Sequence, residues 1–214
     1  VKTILCYGDS ITWGSDPDRP GLRHAREDRW PEVMRAELGP GYHVLAEGLR
    51  GRTTAFDTGL ADCDRNGASV LPTVLYTHAP LDLVILMLGS NDLHDMFAAK
   101  ASVAMQGMRR CVEIVQKHSP RLPGVAAPKV LIAAPPHFVK TTDPFYADIF
   151  SRAVEQSRKI GPLYEALAAE MGCAFFDCAR HAIASPVDGV HLDVENTRAI
   201  GRAIAPLVRD FLTD

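Results

Sequence analysis

The sequence has no apolar run long enough to cross a bilayer. Its most continuous one, Leu83 to Leu88, spans six residues, where a helical span needs about 20. It has no excess of positive charge either. Lys and Arg number 23 against 26 Asp and Glu, a net charge of −3, so no overall basic field draws a nucleic-acid backbone. Among the five cysteines (Cys6, Cys63, Cys111, Cys173 and Cys178) there is no C-x-x-C pair. An odd count without metal-site spacing reads as reduced thiols in a reducing compartment. No basic stretch leads into an apolar segment at the amino end, and no N-x-S/T acceptor occurs. The expectation is therefore a cytoplasmic location.

Several catalytic signatures are also missing. G-x-S-x-G, the nucleophile elbow of α/β-hydrolases, does not occur, nor do G-x-x-x-x-G-K-[ST], G-x-G-x-x-G or H-E-x-x-H. Aromatic residues make up only 7%. What remains is an ordinary globular composition, 47% hydrophobic and 23% charged. At 214 residues the chain is expected to form one domain over residues 1–214. Size scaling predicts roughly 9,700 Å² of folded surface, with about 70% of the unfolded chain's surface buried.

Short apolar runs alternate with helical periods. Strands are predicted at Ile4–Tyr7, Val44–Ala46, Leu83–Leu88, Lys129–Ala134 and Ala174–Phe176. Helices are predicted over 29–38, 67–79 (with Pro72 delaying its start or kinking it), 98–118, 145–171 (with a break near Gly161-Pro162) and 194–212. Residues 14–28 read as a long charged loop. This order implies an α/β fold with a parallel sheet between helices, whose functional loops lie at the carboxyl ends of the strands.

Four of those ends carry usable chemistry. Gly8-Asp9-Ser10 follows the first strand, and Ser10 is either a nucleophile or a helix cap. Gly51 follows the second, as a close backbone donor or a turn glycine. Gly89-Ser90-Asn91-Asp92 follows the third, where Asn91 offers an amide or forms an Asx turn. Asp188-Gly189-Val190-His191 places a carboxylate within reach of an imidazole, or is an ordinary loop. Together they supply a hydroxyl, oxyanion donors, a base and its orienter, the parts of nucleophilic acyl transfer.

These residues resemble the SGNH (GDSL) esterase family, in order and over nearly the whole chain. Gly8-Asp9-Ser10, Gly51, Gly89-x-Asn91-Asp92 and Asp188-x-x-His191 match its four blocks. Ile11-Thr12-Trp13-Gly14, Glu47-Gly48-Leu49, Arg52-Thr53-Thr54 and Ala127-Pro128-Lys129-Val130-Leu131 resemble a narrower branch of small bacterial arylesterases, acyltransferases and carbohydrate acetylesterases. The resemblance implies a flavodoxin-like three-layer α/β/α sandwich with a five-stranded parallel sheet. It implies a serine esterase acting on short-chain esters, with possible acyl transfer to alcohols. Ser10 is then the nucleophile, His191 the base and Asp188 its orienter. The backbone N–H groups of Ser10 and Gly51 and the amide of Asn91 form the oxyanion hole. No metal or cofactor is implied, and the partner is a small ester. Some relatives are multimers with restricted mouths, so a homo-oligomer is expected.

Other residues receive narrower expectations. Trp13 is expected to wall a small acyl pocket, or else to pack in the core. Asp9 and Asp92 are expected to be structural hydrogen-bonding groups. The loop with Arg19, Arg23, His24, Arg26, Glu27 and Asp28 is a candidate flap, a subunit contact or a solvated surface. Phe138, Phe145, Tyr146 and Phe150 are a candidate rim or core helix, and His94 and His137 candidate cleft residues. Two other readings compete: a metal-dependent phosphoesterase using Asp9, Asn91, Asp92, His94 and Asp95, and a noncatalytic acyl- or sugar-binding module of the same fold.

Overall fold

The computed structural model describes residues 1–213. Five strands form one parallel sheet: β1 (Lys2–Gly8), β2 (Tyr42–Gly48), β3 (Leu83–Met87), β4 (Lys129–Ala134) and β5 (Ala174–Asp177). Their order is β2-β1-β3-β4-β5, the flavodoxin-like order. The helices are α1 (Ser10–Trp13), α2 (Trp30–Leu38), α3 (Gly67–His78), α4 (Ala101–His118), α5 (Pro144–Ile149), α6 (Ala153–Met171) and α7 (Val194–Thr213).

The two-residue period of β1 sorts its side chains to opposite faces. Ile4 and Cys6 join Trp30, Met34, Ile200, Ile204 and Val208 beneath α2 and α7. Leu5 and Tyr7 join Leu71, Leu75, Met108, Val112, Ile160 and Tyr164 beneath α3, α4 and α6. Every residue of β3 is buried, because both faces of the central strand are covered. The folded surface is 9759 Å², close to the size expectation. Helices α2 and α7 approach tightly at Gly201, where an added Cβ would lie 2.6 Å from the Trp30 carbonyl.

Some helix boundaries differ from the sequence reading. Pro72 does not delay α3, because Asn66 caps the helix by accepting from the Ser69 N–H. The predicted helix 98–118 begins at Ala101. The predicted helix 145–171 breaks at 150–152, not at Gly161-Pro162. Pro162 sits on an exposed face of α6, where a carbonyl that loses its helical partner is open to solvent rather than buried unpaired. The real break is tertiary: Asp95 donates its N–H to the Ile149 carbonyl at 2.8 Å and accepts the Ser151 N–H at 2.9 Å.

Candidate active site

Chain order reverses between β1 and β3, the switch point where a crevice opens beyond the carboxyl ends. Gly8 pairs with Met87 at the end of that register, so the segments after β1 and β3 leave the sheet side by side. Ser10 opens α1 directly after β1. Asp9 caps that turn by accepting the Ile11 N–H at 2.9 Å. Asn91 begins a short 3₁₀ turn after β3.

The Asp188–His191 segment arrives from the other end of the chain. His191 Nε2 lies 2.9 Å from Ser10 Oγ, and His191 Nδ1 lies 2.6 Å from Asp188 Oδ2. The other carboxylate oxygen, Oδ1, accepts the N–H groups of Val190 and His191 at 2.9 and 2.8 Å. Burial opposes the Asp188 charge, but these bonds and the imidazole outweigh it and hold the carboxyl below its ordinary range. The segment is braced from two sides. Val139 donates to the Gly189 carbonyl at 3.0 Å, and His24 Nε2 meets the Leu192 carbonyl at 2.8 Å. The loop 14–28 is thus partly buried packing: His24 is 2% exposed and Asp16 8%.

Gly51 turns the chain after β2 with φ +75°, and a Cβ there would come within 2.8 Å of Arg65 Nη1. Both the conformation and the space favour glycine. Asn91 Nδ2 donates to the Arg52 carbonyl at 3.0 Å and lies 3.4 Å from Asp9 Oδ2. Ser10, Gly51, Asn91 and His191 all line one cavity of about 540 Å³. The structure therefore brings together the nucleophile, base, orienter and oxyanion candidates.

Asp9 and Asp92 lie beneath this floor, both essentially buried. Asp92 accepts the Thr54 hydroxyl and, at 3.0 Å, the Thr54 N–H. Burial pushes both carboxyls up to about 6, against the hydrogen bonds they accept, and the Asp9 charge adds to the shift at Asp92. The phosphoesterase ligand set does not assemble. Asp92 turns to Thr54 and Asp95 to Ser151, and among the described residues no three His, Cys, Asp or Glu side chains are placed to hold a metal ion.

Trp13 lines the cavity, with the guanidinium of Arg23 4.6 Å and that of Arg50 5.4 Å from its ring centroid. Tyr146 and Phe150 also line it, whereas Phe138 is buried core. Of the two cleft histidines, His94 reaches the cavity and His137 does not. Sequence reasoning missed Leu60, Arg65, Met96 and Phe97, which close the cavity from the segments after Thr54 and after Asn91. Those segments show no periodicity, and of the four residues only Arg65 carries a charge as a signal.

The chain is similar to known proteins over nearly its whole length. The model of the GDSL-like Lipase/Acylhydrolase family matches residues 6–196. A carbohydrate acetylesterase family member from Sinorhizobium meliloti is 52% identical, with 100% of each chain covered and a TM-score of 0.97. A second carbohydrate acetylesterase from Sinorhizobium meliloti is 38% identical, covering 99% of this chain and 100% of its own, with a TM-score of 0.92. The aryl esterase of M. smegmatis is 37% identical, covering 98% and 99%, with a TM-score of 0.92. No curated protein matches the chain.

Proposed function

Since this chain belongs to the GDSL-like lipase/acylhydrolase family and is a carboxylic ester hydrolase of the serine type, we propose that Ser10, His191 and Asp188 are its catalytic triad. The single observation that carries this is the unbroken relay from Ser10 Oγ through His191 to Asp188, at 2.9 and 2.6 Å. His191 takes the Ser10 proton as Oγ attacks the ester carbonyl. The negative charge that develops on oxygen is met by the N–H groups of Ser10 and Gly51 and the amide of Asn91. His191 then protonates the leaving alcohol, and the acyl group stays on Ser10. Water, deprotonated by His191, attacks that acyl-enzyme and releases the acid. An alcohol in place of water gives acyl transfer. Asp188 holds His191 in the tautomer with its proton on Nδ1 and stabilises the imidazolium.

The substrates are short-chain esters, of the aryl acetate or acetylated-carbohydrate type. Supporting this are the similarity to a carbohydrate acetylesterase family member at 52% identity and to an aryl esterase at 37%, over nearly all of each chain, and the position of Trp13 beside Ser10 in the cavity wall. The whole chain, residues 1–214, serves as one catalytic domain without a cofactor. Among the described residues no helix is long and apolar enough to cross a membrane. The free cysteines support a reducing, cytoplasmic location for the enzyme. It functions as a homo-oligomer, a reading supported by Leu60 and Phe145, which line the cavity yet are 85% and 65% exposed at its mouth.

The test is hydrolysis of p-nitrophenyl acetate by wild type and Ser10→Ala, both in chelator. Wild-type turnover that nearly vanishes in the variant is the expected result. Equal rates in the two proteins would leave Ser10 a structural residue at the start of α1 and favour a binding module.

A further inference from the structure

The cavity over Ser10 has an uneven charge. Its lining includes Arg50 and Arg65 and no aspartate or glutamate, in a chain whose net charge is −3. Some arginines elsewhere meet acids, as Arg19 meets Asp16, Arg26 Glu32, Arg180 Asp177 and Arg198 Asp28, while others outside the cavity, such as Arg29 and Arg121, do not among the described residues. Neither Arg50 nor Arg65 forms an ion pair among the described residues. Two carboxylates near Arg65 in sequence are engaged by neutral donors. Asp64 accepts from the Asn66 N–H and the Ser69 hydroxyl, and Asp57 accepts from the Asn66 amide.

Arg65 is also held in place. Its carbonyl accepts the Thr53 N–H at 3.0 Å, and its guanidinium packs over Gly51. Its Nε is buried and without a hydrogen-bond partner. A buried guanidinium N–H left unpaired is unfavourable. A guanidinium that lines a cavity without an acidic partner takes a planar carboxylate through two parallel charge-assisted bonds.

We propose that Arg65, assisted by Arg50, is a specificity-determining residue, and that the preferred ester carries a carboxylate close to the scissile bond. This rests on the serine-esterase reading of the same cavity. The carboxylate belongs either to the acyl group, as in a dicarboxylic half-ester, or to the alcohol, as in an acetylated sugar acid or hydroxy acid. Both present the same anion to the guanidinium.

Two substrate pairs test this. On the alcohol side, 4-acetoxybenzoate is compared with its neutral methyl ester. On the acyl side, mono-4-nitrophenyl glutarate is compared with 4-nitrophenyl pentanoate. Each kcat/KM is divided by the same ester's hydroxide-catalysed rate, which removes leaving-group differences. At least one charged ester is expected to exceed its neutral partner about tenfold, the scale of one charge-assisted contact. Which pair responds identifies the side that bears the charge. The preference is expected to shrink at about 0.5 M salt, to collapse toward unity in Arg65→Gln and to return in part in Arg65→Lys. Ratios near one for both pairs in wild type would overturn the inference, and so would a preference that survives in a folded Arg65→Gln. Wild-type ratios and their salt dependence decide the matter even if the variant does not fold. Ser10→Ala is run alongside. Activity that persists there overturns the serine reading itself, a failure distinct from loss of charge preference.

Discussion

The ring of Tyr146 stands edge-on to the imidazole of His191, with centroids 6.0 Å apart and planes at 86°. An edge-to-face contact of this kind limits rotation of the imidazole away from Ser10. Tyr146→Ala is expected to lower kcat about threefold to tenfold, within the energy of one aromatic pair. Tyr146→Phe keeps the ring and is expected to retain nearly full activity. Equal losses in the two variants would shift the role to the hydroxyl.

Asn91 reaches the cavity with an amide already aligned by the Arg52 carbonyl. Replacing it with alanine removes one donor to the developing oxyanion. The expected loss is about 10²–10³ in kcat with KM little changed. Steady-state kinetics on p-nitrophenyl acetate separate the two constants, and a loss confined to KM would speak against an oxyanion role.

Asp92 has a folded pKa raised to about 6 by burial. The folded state therefore holds this proton more tightly than the unfolded chain does. The resulting stabilisation is present below the ordinary carboxylate value and is lost as pH rises through about 6. Asp92→Asn removes this titration. Urea denaturation at pH 5 and pH 7.5 is expected to show wild type gaining on the variant at the lower pH. A constant stability difference would mean that Asp92 titrates normally.

Trp13 is half-buried beside the nucleophile, under two guanidinium groups. Trp13→Ala is expected to raise the rate on p-nitrophenyl butyrate and hexanoate relative to the acetate. Measuring the chain-length series checks this, and unchanged selectivity would place Trp13 outside the acyl pocket.

Leu60 and Phe145 leave apolar surface at the cavity mouth. Wild type is expected to sediment as an oligomer and Phe145→Asp to sediment as a smaller species. A monomeric wild type would refute the assembly.

Much of the fold was legible in the sequence because its signals are local. The two-residue alternation at Ile4–Tyr7 and the unbroken apolar run at Leu83–Leu88 each specify a strand without knowledge of its neighbours. Helix ends were less legible. The break at 150–152 depends on Asp95, which is more than 50 residues away along the chain. A proline on an exposed face, such as Pro162, carries no sequence mark that distinguishes it from a helix breaker.

The order of residues along the chain specifies which groups this protein has for its chemistry: a hydroxyl at Ser10, an amide at Asn91, a backbone donor at Gly51 and a carboxylate three residues before an imidazole at 188 and 191. These sit in short motifs whose spacing is set by strand ends and tight turns. What surrounds them is set by the packing of the folded chain. Ser10 and His191 are 181 positions apart and meet at 2.9 Å because both project into the crevice beside β1 and β3. Arg65, Phe97 and Tyr146 meet in one cavity through long-range packing of loops. No local pattern encodes such packing, because its energy comes from contacts between segments that are distant in the chain.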